Sequence, residues 1–177
     1  MLHAVGRWVH LGSGFAAVAL GLAVMLLPKF GRWAAWHRWV GRVYATLIAA
    51  SCLIGVPLAY LRGSVYLMVL GVFTLAVVAS GWRDAMAARA ALRRGDRLRA
   101  ERHLRWHLIL MGSSYIGAWS GFFATNQVFG YGEWQVWAYV FGPPVVGAVL
   151  IARAAVRLTL PTPPTPDEIP HTVEGEK

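Results

Sequence analysis

A chain of 177 residues has room for one domain, and its composition, 57% hydrophobic against 14% charged, is not that of a soluble one. The formal net charge of +9 would suit a nucleic-acid binder. The arginines, however, flank apolar runs, where a membrane protein places its cytoplasmic loops, so nucleic acid is not an expected partner. Cys52 is the only cysteine, which excludes an intrachain disulfide and a cysteine cluster for zinc.

A helix needs about 20 apolar residues to cross the hydrocarbon core. Five segments qualify, at about 6–27, 40–61, 64–82, 106–126 and 135–156. The expected fold is all-α, a polytopic transmembrane bundle of five helices occupying residues 1–158. Residues 1–10 hold one arginine, whereas Lys29 and Arg32 follow the first apolar run. That bias is the reverse of a secretory leader, so the run reads as a retained helix. The second and third runs are joined by Arg62-Gly63, which suits a tight turn. Gly55, Pro57 and Gly63 argue against one continuous helix.

Segment 83–105, RDAMAARAALRRGDRLRAERHLR, carries eight arginines and three acids. It reads as a basic cytoplasmic loop, folded as a helical hairpin lying on the inner leaflet. Alanine and arginine favour helix, and Gly95-Asp96 marks a break followed by an N-cap. Its arginines suit anionic lipid headgroups as partners. Pro143-Pro144 should kink the last helix. The Pro-rich tail, 159–177, has no apolar periodicity and is expected to be disordered.

Orientation follows from charge. One side collects Lys29, Arg32, Arg38, Arg42, the 83–105 segment, Arg153 and Arg157; the other has Arg7, Arg62 and Glu133. This asymmetry places the first side and the C-terminus in the cytoplasm and the N-terminus outside. Trp33, Trp36, Trp39, Trp82 and Trp106 fall near the inner interface, and Trp8, Trp134 and Trp137 near the outer one. Trp119 falls mid-span and should pack between helices.

No Asp, Glu, Lys or Arg lies near the centre of a predicted span, which weighs against proton pumps, ion-coupled transporters and voltage sensors. The intramembrane hydroxyls Ser51, Ser113 and Ser114 have no Ser-His-Asp or Ser-Lys set, and no buried acid is evident to orient a base. Histidine is the remaining ionisable group. His10 shares a helix face with Gly14, Ala17 and Gly21. His37 shares one with Gly41, Tyr44, Ile48, Ser51 and Gly55, and His107 one with Met111, Ser114, Ala118 and Gly121. Small residues permit close approach, so each histidine points into the bundle.

His37 and His107 both lie at the inner end, whereas His10 lies at the opposite end, about 27 Å of helix away. Partners for His10 there would be His3, Tyr131, Asn126 or Gln127. The inner pair supports three readings. It could supply both axial nitrogens to haem b, with Arg38, Arg42 and Arg105 facing the propionates or another anionic headgroup. His37 and His107 could instead join His103, one turn from His107, around a transition metal. Or the histidines only pack, in a non-enzymatic scaffold or small transporter. Ser113, Gly117 and Gly121 have small-xxx-small spacing, which serves a homodimer as well as a bundle interior.

His10 with its glycines, the stretch His37-Arg38-Trp39-Val40-Gly41-Arg42-Val43-Tyr44, and Arg105-Trp106-His107 with Met111, Ser114 and Tyr115 resemble the bacterial membrane family catalogued as domain of unknown function 2306. The resemblance runs from about residue 3 to 155. It implies a small multi-helix inner-membrane protein without an assigned reaction, and marks His10, His37, Arg38, Gly41, Arg42, Tyr44, His107 and Tyr115 for testing. Membrane cytochromes b are an analogy through helix-borne histidines alone. They often carry two stacked histidine pairs, and this chain offers one.

Overall fold

A computed structural model describes residues 2–27, 31–126 and 133–158, which form five α-helices. These are α1 (Leu2–Leu26), α2 (Ala34–Leu61), α3 (Val65–Arg93), α4 (Arg97–Asn126) and α5 (Glu133–Val156), with a 3-10 turn at Gly31–Trp33 before α2. The tail 159–177, and the side chains of Arg7, Trp134 and Trp137, lie outside the described residues.

Three of the helices, α1, α2 and α3, are long and apolar enough to cross a membrane. The exterior carries large apolar side chains, among them Phe15, Leu53, Val69, Phe73 and Leu150, while Ser51, Thr74, Asp84, Ser114 and Ser120 are buried. Apolar residues outside and hydroxyls inside are what a lipid solvent demands, so the surface is compatible with a membrane protein.

Helices α1 to α4 close a square: α1 packs on α2 and α4, and α3 packs on α2 and α4. Helix α5 leans on α4 from outside the square. Two tight turns set this order. At the α2–α3 turn Gly63 takes φ +67°, and the Ser64 hydroxyl accepts from the Leu67 N–H. At the α3–α4 turn Gly95 takes φ +75°, and the Asp96 carboxylate accepts from the Arg99 N–H at 3.0 Å. Both glycines supply the left-handed conformation that a side chain resists. Because each turn reverses the chain, α2 and α4 run in the same direction on one diagonal of the square.

The 83–105 segment differs from its expected form. Only the Arg94–Asp96 turn is non-helical, and the rest continues α3 and α4 beyond the expected span ends. The two extensions pack on each other, with Ala88, Ala91 and Ala100 buried. Alanine at these positions lets the backbones approach, so the hairpin stands on the bundle as an extension of it. Helix α2 likewise starts at Ala34, several residues before the apolar run at 40, and takes Trp36 and His37 into its first turn.

Glycine sets the close contacts within the square. A Cβ at Gly117 would lie 2.5 Å from Thr74 Oγ1, and one at Gly121 would lie 3.6 Å from Leu70. Both neighbours belong to α3, so these two glycines line the bundle interior; half-buried Ser113 stands one turn before them. Gly147 of α5 receives Ile116, and Gly112 receives Ile151, which seats α5 on α4. Trp119, expected to pack between helices, is edge-on to Tyr115 and Phe122 and stacked on Phe123, all of its own helix α4; Phe15 of α1 meets Phe122 edge-on at 5.2 Å.

Candidate functional site

The centre of the square is pinned by Tyr44 of α2 and Ser114 of α4, whose oxygens are 2.9 Å apart. Ser114 Oγ donates to the Met111 carbonyl of its own helix at 2.7 Å, so its single proton is committed and the Tyr44 hydroxyl donates to it. Tyr44 is 2% exposed and Ser114 fully buried. Around them pack Ala17, Ala45, Ile48 and Val78, with Met111 and Tyr115 at the edge.

This pin fixes the depth of two histidines. His37 precedes Tyr44 by seven residues, and His107 precedes Ser114 by seven. Seven residues are two turns, about 10 Å, and return to nearly the same helix face. Since α2 and α4 run in the same direction, His37 and His107 stand at matched depth on opposite corners, toward the arginine-rich end. Between His37 and Tyr44 on that face lies Gly41, where a Cβ would meet no described atom within 4 Å. Among the described residues, nothing fills the space beside Gly41.

His107 is oriented by the backbone of α3. Its Nδ1 lies 2.8 Å from the Gly81 carbonyl oxygen. A carbonyl only accepts, so Nδ1 carries the proton and Nε2 is the basic nitrogen. Gly81 makes this possible, because a Cβ there would lie 2.9 Å from Met111 Sδ and 3.3 Å from Leu110. Met111 is thus committed to packing on α3.

One turn nearer the hairpin, His103 Nδ1 lies 2.7 Å from Asp84 Oδ1. Asp84 is 9% exposed. No buried acid was expected beside a base; the continued α3 provides one. Asp84, Ala88 and Ala91 form one face of α3 that meets Ala100, His103 and His107 of α4 at comparable distances from the Gly95 turn. That mirror spacing is the signal available in the sequence, hidden when 83–105 is read as a loop. Asp84→Ala is expected to cost about 1–3 kcal/mol by removing the charge-assisted bond to a half-buried histidine. Hydrogen exchange should show faster opening in the α3–α4 extension, and Asp84→Asn, which keeps an acceptor, should open less.

The metal grouping of His37, His103 and His107 is not assembled. Among the described residues no three His, Cys, Asp or Glu side chains converge as a metal set. The reason is local: His103 is turned to Asp84 and His107 to the Gly81 carbonyl.

The three arginines expected beside the pair separate. Arg105 reaches away toward α5, its guanidinium 3.5 Å from the Leu158 carbonyl. Arg38 and Arg42 are exposed and lie within electrostatic reach of Arg89 and Arg93 on α3.

At the other end, His10 Nδ1 sits 3.0 Å from the Ser51 carbonyl and 3.1 Å from Ser51 Oγ. Gly55 admits the ring, since a Cβ there would lie 2.7 Å from its Cε1, and Gly14 faces Ser51 Oγ. His10 is therefore a polar clasp between α1 and α2, with α2 supplying its partner. The side chains expected to partner it, those of His3, Asn126, Gln127 and Tyr131, lie outside the described residues. Tyr115 turns toward α1, where its ring and that of Tyr44 cover Gly21.

No family model, curated protein or solved structure matches this chain, so the resemblance to domain of unknown function 2306 rests on the quoted motif residues alone.

Proposed function

We propose that the chain is a five-span bacterial inner-membrane protein, N-terminus outside, whose basic cytoplasmic end holds haem b between His37 and His107 and serves electron transfer. The observation that carries this reading is the Gly81 carbonyl on His107 Nδ1, which orients the imidazole with Nε2 as its basic nitrogen at the depth of His37. A second hydrogen bond of this kind is how proteins commonly fix an axial or metal-bound histidine. The open space beside Gly41 supports the fit of a flat group. Haem bound there supplies one-electron chemistry. The chain's own residues orient the imidazole, leave room beside α2 and close the core above with the Tyr44–Ser114 pin.

The test is spectroscopic. Protein purified in mild detergent is scanned oxidised and dithionite-reduced, with bound metals measured on the same sample. The expected result is a Soret band lost in His37→Ala and in His107→Ala and kept in His10→Ala and His103→Ala. Zinc or iron without a Soret band would favour a transition-metal site. A colourless, metal-free but folded protein would sink both.

A second reading has support of its own. His10 and His103 are each engaged by a neighbouring helix, as packing histidines are. His107 is engaged in the same way by the Gly81 carbonyl of α3, and if that bond and the contacts of His37 are packing alone, the protein is a non-enzymatic scaffold or small transporter.

A further inference from the structure

The hairpin of α2 and α3 brings four arginines together at the basic end. Val56 of α2 meets Gly71 of α3, positions nearly equidistant from the Gly63 turn. Continuing that register down the antiparallel pair sets Arg38 level with Arg89. Arg42 follows Arg38 by one turn on α2, and Arg93 follows Arg89 by one turn on α3. The register agrees with the electrostatics: Arg38, Arg42 and Arg93 all lie close enough to act on the half-buried Arg89.

Four like charges gathered from two helices repel one another unless an anion lies among them. Neither of the two segments that carry them, residues 31–42 and 85–93, contains an acid. Asp84, earlier on α3, is turned to His103 of α4. Guanidinium forks suit phosphate oxygens in particular.

The flanks identify the source of the phosphate. Trp36 and Trp39 are exposed and meet edge-to-face at 6.1 Å beside Arg38 and Arg42, and Trp82 is exposed two turns from Arg89. Exposed tryptophans bordering an apolar helix surface mark the headgroup level of a bilayer, where a soluble anion has no such neighbours.

We propose that the groove between the first turns of α2 and the last turns of α3 binds the phosphate headgroup of an anionic phospholipid through Arg38, Arg42, Arg89 and Arg93. This site is separate from the histidine pair and stands whether or not haem is bound. It also gives Arg38 and Arg42 a role other than partnering propionates.

The test compares lipid binding by the full chain in detergent, read by native mass spectrometry, with phosphatidylglycerol and phosphatidylcholine as probes. Wild type should retain phosphatidylglycerol at least tenfold more strongly. The variant R38Q/R42Q/R89Q/R93Q should lose that preference. The control R94Q/R99Q/R102Q removes three exposed charges at the same end and should change affinity by less than about threefold. Should the quadruple variant fail to fold, R38Q/R42Q and R89Q/R93Q tested separately should each lose part of the preference. Equal retention of the two lipids would overturn the proposal. So would an equal loss in the control, which would reduce the site to general basic charge. Full displacement by millimolar inorganic phosphate would overturn it too, by making the ligand a soluble anion.

Discussion

Tyr44→Ala should destabilise the bundle by about 3–5 kcal/mol, the range for deleting a large buried ring that its surroundings cannot replace. Tyr44 is 2% exposed and reaches across the diagonal from α2 to Ser114 of α4. The same ring covers Gly21 of α1, so its loss loosens three helices at once. Tyr44→Phe keeps the ring and removes only the donor to Ser114. That change should cost about 1 kcal/mol, because Ser114 keeps its own bond to the Met111 carbonyl. Thermal unfolding in detergent measures both. A double-mutant cycle with Ser114→Ala isolates the hydroxyl pair, with an expected coupling of about 1 kcal/mol. An alanine variant as stable as the phenylalanine one would mean that the pin carries no packing load.

The parts of this fold that are legible in the sequence are those with a local cause. Arg62-Gly63 and Gly95-Asp96 announce turns because glycine alone accepts positive φ cheaply and Asp96 caps the first turn of α4, and both turns form there. The small stripe on α4 announces a close approach, although only the structure shows α3 as the partner of Gly117 and Gly121. The ends of the helices are not legible, because hydropathy reports where lipid ends and not where the helix does. Alanine and arginine in 83–105 propagate a helix as readily as leucine does, so α3 and α4 continue past the apolar runs.

The histidines divide along the same line. That they face inward follows from spacing; what each bonds to depends on helices distant in sequence. Ser51 as the partner of His10 is separated from it by the whole of the first turn region and half of α2. Taken as a loop residue, Asp84 gives no sign of its bond to His103, which exists only because α3 continues. Arg38, Arg42 and Arg105 illustrate the converse error. Proximity in sequence to a candidate histidine suggests one anion site, but adjacent residues on a helix point about 100° apart. Arg38 is therefore rotated from His37 toward α3, and Arg105, two residues from His107, lies on nearly the opposite face, toward α5.

Gly21→Leu should be as disruptive as the loss of Tyr44, for the opposite reason. A Cβ at Gly21 runs into the Tyr115 ring, and it would lie 3.0 Å from Cε2 of Tyr44. Neither ring is free to yield. Tyr44 is held by Ser114, and Tyr115 is backed by Trp119 at 6.3 Å between ring centres. Relief then requires α1 to move off α4, which forfeits the Phe15–Phe122 contact and pulls on the His10–Ser51 clasp. Overpacking of this kind typically costs about 1–3 kcal/mol where neighbours adjust, and more where they cannot. The upper end applies here. Gly12→Leu on the same helix is the control, since a Cβ there meets no described atom within 4 Å and should change stability little. Gly21→Ala should fall between them, because a single methyl already meets the Tyr115 ring. If Gly21→Leu unfolds no earlier than Gly12→Leu, α1 is not seated on Tyr44 and Tyr115. The square would then have an open corner where this arrangement closes it.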